Sequence, residues 1–461
     1  PLDVNILSEN PPYLLKISKS CYQTPGIYTL VYDTFRQFSH TIPYIPKDGN
    51  WSGFAVTNHT DAPLERVTLT TYTKDGNPLQ TLLGPLTMDP GQKKLFLFTS
   101  LPYRQRQYGD VGTVNLISGR NGGVAEMVHG RYRGPHIVLP DMVKEQQINN
   151  YMFGKVINES ESPAGITLTL YNAAGTPVKS VDISLDARET YEIIPGWAPF
   201  YSVPQGGWLE IQAENANTVL TGFQHIVKNK GVETNFALPA TSDNKIVPHI
   251  PFSGAWKTDL VLINTGDKTA NMTLHRVMAG LDTSDDIRLT VDSKEKITIP
   301  LHQFLETTSD YPYFRSIVSI SSDQTFTGYY AYHSFNYNDH VTIPLLDEND
   351  FAGKLVLPHN TQGAGWGTGV GIFNPGASQV ACDIKPYGDG GKVFSGLTRS
   401  VTLDPGEYTV LNIGGMFPGH AAKITFIRFE TRKPGDIIGG FHLYYSLQNG
   451  MCGENLGPVK E

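Results

Sequence analysis

Acidic residues spaced three apart recur along this chain and are its most conspicuous candidates for chemistry. Asp186 with Glu189, Asp292 with Glu295 and Asp404 with Glu407 share that spacing, and Asp89 with Gln92 is a fourth copy. Two carboxylates flanking one bond can act as general acid and base in glycoside cleavage. One reaction needs one pair, however, and Gln92 cannot ionise. A turn explains all four copies: Asp accepts a backbone N–H two residues on, Pro90 and Pro405 preset φ, and Gly91 and Gly406 permit positive φ.

The other reactive side chains fall short of a site in the same way. His129, His225, His333 and His442 recur near the ends of repeats, with His249 and His359 at their entrances, but none forms an HExxH or HxH spacing. His340 beside Asp339 is the nearest approach to a metal pair. Asp282, Asp285 and Asp286 make an acidic tip that lacks the Gly and distal Glu of a calcium loop. Gly363 to Ile372 carries GxGxG spacing, yet it leads into a strand, where a phosphate cradle needs a helix N-terminus. No GxSxG elbow or Walker sequence is present. The reading is therefore no enzyme, with no catalytic, cofactor-binding or metal residues.

Composition agrees with an all-β chain. Of 461 residues only 17% are charged, while Gly (46), Pro (31) and Tyr (23) favour turns and half-buried strands. The formal net charge of −8 advertises no face to phosphates, and the densest basic cluster, Arg104, Arg106, Arg131 and Arg133, reads as a solvated loop. No nucleic-acid partner is expected. No apolar run approaches the ~18 residues of a membrane span. The chain opens Pro1-Leu2-Asp3 without an initiator Met, as a trimmed product would. Three cysteines, Cys21, Cys382 and Cys452, exclude a stapled scaffold. Cys382 and Cys452 fall in one repeat, and a bridge or two separate thiols both remain open. Asn50, Asn58, Asn158 and Asn271 begin N-x-S/T triplets, which matter only where asparagine is glycosylated.

What positions these residues is a repeat. An aromatic, a short apolar strand and an Asn recur as Trp51 to Asn58, Tyr151 to Asn158, Trp256 to Asn264 and Trp366 to Asn374. The Asn positions 58, 158, 264 and 374 are 100, 106 and 110 apart, and the Asp turns follow by 28 to 31 residues. Between the landmarks run alternating segments such as Val67 to Thr73 and Ile166 to Asn172, broken by Asp75-Gly76, Ala174-Gly175, Ala279-Gly280 and Asp389-Gly390. Alternation with close turns describes strands with one wet face. About seven such strands per repeat is the inventory of an immunoglobulin-like or fibronectin-like sandwich.

The expected organisation is a tandem array of four immunoglobulin-like β-sandwich repeats, 44–140, 141–244, 245–350 and 351–461, behind an N-terminal half repeat, 1–43. Pro12-Tyr13 onward resembles Pro312-Tyr313 onward, Tyr32 to Pro43 resembles Tyr332 to Pro344, and Lys16 to Ile27 resembles Lys423 to Ile437. A half sandwich cannot bury its apolar face alone. Its strands add to the first repeat, or belong to a longer precursor, or pair with a neighbouring subunit.

Trp366 to Gly376, Trp256 to Gly266 and the Leu403-Asp404-Pro405-Gly406 turn resemble those of secreted bacterial tandem β-sandwich repeat proteins of uncharacterised function. The second repeat departs, with Tyr151 for Trp and no Pro-Gly in its turn. The resemblance implies export to an extracellular or cell-surface setting and carries no active site. The expected function is an extracellular structural protein, a subunit of a surface assembly or filament of end-to-end sandwiches, self-associating through strand edges. The alternative is an adhesin that binds a glycan or surface through aromatics such as Tyr329, Tyr330, Tyr332, Phe335, Tyr337, Tyr444 and Tyr445.

Overall fold

The computed structural model describes residues 13–20, 25–29, 39–42, 51–58, 63–73, 75–90, 92–97, 111–117, 135–142, 151–160, 162–228, 232–237, 241–250, 256–278, 286–301, 316–334, 340–357, 360, 366–388, 392–446, 450–455 and 457–458. Strands dominate, and one short α-helix, Ile413–Met416, is found among the described residues.

The strands fall into four modules, numbered 1 to 4; modules 1, 2 and 4 are pairs of sheets, and the strands of module 3 form one seven-stranded sheet. Module 2 sets the pattern, and its strands come after eight others. Those of module 1 are β1 (Tyr13–Ser20), β2 (Pro25–Thr29), β3 (Ser39–Ile42), β4 (Trp51–Asn58), β5 (Leu64–Thr73), β6 (Pro78–Met88), β7 (Lys93–Leu97) and β8 (Val111–Ile117). Module 2 holds β9 (His136–Met142), β10 (Tyr151–Asn158), β11 (Ala164–Tyr171), β12 (Pro177–Leu185), β13 (Thr190–Ile193), β14 (Gly207–Ala213), β15 (Leu220–Lys228) and β16 (Val232–Ala237). Its sheets run β12-β11-β14-β9 and β13-β10-β15-β16, all antiparallel. By position in the module, one sheet is fourth-third-sixth-first and the other fifth-second-seventh-eighth.

Module 3 repeats the order with β17 (Ser242–Val247), β18 (Trp256–Asn264), β19 (Ala270–Met278), β20 (Ile287–Val291), β21 (Lys296–Pro300), β22 (Ser316–Ser334) and β23 (His340–Pro344). Here β22 fills the sixth and seventh positions at once, pairing with β17 and β19 and then with β18 and β23. Module 4 repeats it again with β24 (Lys354–Leu357), β25 (Trp366–Phe373), β26 (Val380–Tyr387), β27 (Arg399–Leu403), β28 (Tyr408–Asn412), β29 (Phe426–Thr431), β30 (Gly439–Ser446) and β31 (Gly450–Asn455), plus β32 (Gly457–Pro458) on the edge of β24.

Alternation explains which faces meet. Along β11, Ala164, Ile166, Leu168 and Leu170 are buried while the residues between them are not. They share one core with Ile137, Leu139, Val156, Ile193, Leu209, Ile211 and Leu220, drawn from both sheets. A two-residue side-chain period on two facing sheets produces this arrangement. Modules 3 and 4 build equivalent cores around Leu260, Leu262, Ile320 and Tyr330, and around Val370, Ile372, Ile384 and Phe429.

Three expectations need correcting. Each module has eight positions rather than seven, because a short opening strand precedes the aromatic landmark. These strands, β3, β9 and β17, pair forward into the following module, so the expected boundaries at 43/44, 140/141 and 244/245 misplace them. Finally, the modules are not strung end to end: β16, β23 and β31 touch one another, and β2 touches β31, so the eighth-position strands of all modules gather in one region.

Candidate functional site

The landmark residues meet, and what they build is a staple. Asn58, Asn158, Asn264 and Asn374 are all fully buried. Asn264 Nδ2 donates to the carbonyls of Lys268, Val291 and Asp292 at 2.8, 3.1 and 3.0 Å, and Oδ1 accepts from Gly266 N at 2.9 Å. Asn158 and Asn374 repeat the set on Ser162, Leu185 and Asp186, and on Ser378 and Leu403. The turn closes on itself: Glu295 N donates to Asp292 O at 3.0 Å while Asp292 N donates to Glu295 Oε2 at 2.7 Å. Gln92 does the same for Asp89 with its amide oxygen, which is why an uncharged residue suffices. The Glu of each pair is spent on the backbone N–H of its Asp, while the Asp292 and Asp404 carboxylates accept from the Thr269 and Gln379 side chains rather than from a backbone N–H.

The third turn residue has positive φ, 64° at Arg188, 60° at Lys294 and 71° at Gly406. Glycine takes that conformation freely, so the two long cations there carry a backbone cost. Their side chains have work at the junctions. Lys294 Nζ reaches back to Glu210 Oε1 of module 2 at 2.8 Å, and the Arg188 guanidinium sits 5.7 Å from the Tyr72 ring of module 1.

The junction between modules 2 and 3 is the fullest. Outward positions of the module 2 sheet carry Tyr171 and Trp208, stacked at 4.6 Å and packed with Val138 against Ile263 of module 3. Trp208 Nε1 donates to Lys294 O at 3.0 Å. Glu210 also accepts from Tyr171 Oη at 2.9 Å and lies 2.9 Å from His136 Nε2. Burial alone would raise the Glu210 carboxyl, but His136 and Lys294 override it and hold its pKa at about 2. Asp141 takes Lys296 and Tyr329 from the other side. Gly175, at φ 77°, sits so close to the next turn that a Cβ would lie 2.3 Å from Ser293 O. Gly76 meets Ala187 O the same way at 2.4 Å. Thus the turn between the third and fourth strands of one module docks on the Asp turn of the next.

At the junction of modules 3 and 4, His249 lies among the rings of Tyr332, Tyr408 and Phe441, at 5.7, 5.0 and 5.4 Å. Burial pushes its pKa down to about 3, so it is neutral and packs as an aromatic. Module 3 also carries a lysine in its core. By register Lys245 stands where Ile137 and Leu355 stand in modules 2 and 4, and its Nζ lies 3.5 Å from Asp347 Oδ2. Its side chain is fully buried, which lowers its pKa against the opposing pull of Asp347.

The remaining candidates separate. His333 is bound to Asp259 at 2.9 Å, and Asp286 to His275 at 2.6 Å, on exposed ground. No cluster of three or more metal-binding side chains occurs among the described residues. Cys382 is a buried free thiol whose pKa burial pushes up to about 12. The glycines of β25 make room for aromatics: a Cβ on Gly371 would lie 2.1 Å from the Phe441 ring, and one on Gly367 2.6 Å from Tyr445. No helix follows them. Asn58 and Asn158 are too buried to be modified, while Asn271 holds Asp323 at 2.7 Å on the surface. Tyr329, Tyr330 and Tyr332, expected in part as an exposed platform, are all buried; Tyr329 does face outward, into module 2.

Cys21, Asn50, Arg104, Arg106, His129, Arg131, Arg133, Asp282, Asp285, Phe335, Tyr337, Asp339 and His359 lie outside the described residues. His225, His340, Tyr444 and Cys452 are placed in strands, with side chains outside the description. Sequence reasoning missed the junction residues Tyr171, Trp208, Glu210 and Lys294. The available signal was an aromatic at an outward position of an otherwise alternating strand. No helix among the described residues is long and apolar enough to cross a membrane.

No known family model matches this chain, and no curated protein matches it. The class supported by the fold is an all-β protein of multiple sheets.

Proposed function

We propose that the chain is an exported structural protein, a subunit of a cell-surface or extracellular assembly, built as tandem immunoglobulin-like β-sandwich repeats. The carrying observation is the use to which its recurrent polar residues are put. Asn264, Asp292, Glu295 and Lys294 close turns and lock one module to the next. Such a chain presents repeated sheet edges, β6 and β7, β12 and β13, β27 and β28, to which a further strand can add. Light scattering together with electron microscopy of native material tests this. Regular oligomers or filaments are the expected result, and a uniform monomer that never assembles overturns it.

A second reading, a glycan-binding adhesin, has one observation in its favour. Trp197 and Tyr201 are 61% and 68% exposed, either side of the buried Phe200. Exposed rings stack on sugar faces. A glycan array tests it: a defined sugar bound by the native chain and lost in Trp197→Ala would place this reading first.

A further inference from the structure

The first module is closed by the wrong strands. In modules 2, 3 and 4 the seventh and eighth positions come from the end of the module's own segment. In module 1 they are β1 and β2, which precede everything else in it. The match is residue for residue. Tyr13 pairs with Asn58 as Leu220 pairs with Asn158 and Phe326 with Asn264. Lys16 then pairs with Thr29 as Phe223 pairs with Ala237.

One position does not fit. The seventh strand meets the residue two before the landmark Asn with a glycine in three modules: Gly222 on Val156, Gly328 on Leu262 and Gly440 on Ile372. A Cβ on Gly328 would lie 2.1 Å from Val261 O, so this close approach needs glycine. In module 1 the place is held by Leu15, opposite Val56. The chain has a better-matched sequence of its own after β8. Asn121-Gly122-Gly123-Val124 parallels Ile438-Gly439-Gly440-Phe441 and Phe326-Thr327-Gly328-Tyr329. Five segments therefore carry the character of a seventh strand, and there are four places for them.

The chain order differs at the same place. After β16 and β23 the chain leads into the next module, whereas after β2 it returns to β3 of the same module.

We propose that the β1–β2 hairpin is an exchangeable closing element, and that the hairpin of one copy of this chain completes module 1 of a second copy. This rests on the structural-subunit reading and supplies its contact. The surplus of seventh-strand segments provides the donor, and the second-position strand β4 is the acceptor edge. Reciprocal exchange gives closed pairs; one-way exchange gives open chains.

The test uses two full-length chains, Ile17→Cys and Phe54→Cys, each also carrying Cys21→Ser and Cys452→Ser. Ile17 and Phe54 are register partners. The two are refolded together, oxidised mildly and separated without reductant. A mixed disulfide joining the two chains, absent from either alone, is expected. The double variant Ile17→Cys/Phe54→Cys controls the register and closes within one chain when dilute. Closure in the double variant with no mixed disulfide overturns exchange; no closure in either overturns the register and the proposal with it. Light scattering on the same samples separates the two readings. Assembly without the mixed disulfide removes exchange alone, and monomers without it remove both.

Discussion

Replacing Asn264 with Ala removes four hydrogen bonds from a fully buried site. Three are carbonyl acceptors served by two amide hydrogens, and the fourth is the amide of Gly266. A made hydrogen bond is worth about 1 kcal/mol net, and an abandoned buried group costs about 1–3 kcal/mol. The sum, reduced for the bifurcated donation, is about 3–5 kcal/mol for module 3. Asn264→Asp keeps the acceptor for Gly266 N but turns a carboxylate on three carbonyls, and it is expected to be no milder. Several modules in one chain preclude a single unfolding free energy, so the readout is native-state hydrogen exchange of the β20 and β21 amides. At 1.4 kcal/mol per tenfold, exchange there quickens about 100- to 1,000-fold or more. Asn271→Ala, which removes an exposed side-chain hydrogen bond to Asp323, is the control and changes exchange by less than about tenfold. Equal effects from the two substitutions would refute the staple.

Other outcomes follow from the junctions and cores. Gly175→Ala combines positive φ with a clash on Ser293 O and should cost about 2 kcal/mol or more, read as faster exchange at the Asp292–Glu295 turn while the β11 amides stay protected. His249 has a folded pKa near 3 against 6.5 unfolded, so the unfolded chain binds its proton first. Stability is then full above about pH 6.5 and falls as pH drops towards 3, by on the order of 1–2 kcal/mol at pH 5 after allowing for the ring's residual exposure. A melting series from pH 7 to 4 should flatten in His249→Phe. Cys382 should resist alkylation in the folded chain and react on denaturation, as mass spectrometry would show. Lys245→Met should destabilise module 3 by about 3 kcal/mol, and Lys245→Met with Asp347→Asn should recover most of that loss in denaturant melts.

The Asp turn was legible because one solution was written four times: an Asn and, 28 to 31 residues on, an Asp announce a repeated backbone motif without any knowledge of neighbours, whereas the bonds from the Asn amide to that turn appear only in the fold. The opening strands were not, since β3, β9 and β17 look like tails of the preceding segment until their partners are known. Nor could Tyr171, Trp208 and Glu210 be assigned. Trp208 and Glu210 find their partner about 85 residues away at Lys294, Tyr171 joins them by stacking on Trp208, and only the stacking of modules brings the group together. The gathering of eighth-position strands is likewise a property of how modules wrap, which no local pattern encodes. For the N-terminal strands, sequence likeness named their character, and only the sheet order revealed which module they close.

The continuity of β22 has a mechanical consequence. In modules 2 and 4 the sixth and seventh positions are separate strands, so the two sheets are joined through the loops 214–219 and 432–438. In module 3 one strand of 19 residues, Ser316–Ser334, is a single beam embedded in both halves of its one sheet. A pull on the chain that slides one half over the other must bend that beam and shed hydrogen bonds on both sides together. Module 3 should therefore be the last to yield under tension, the anchor against which its neighbours extend.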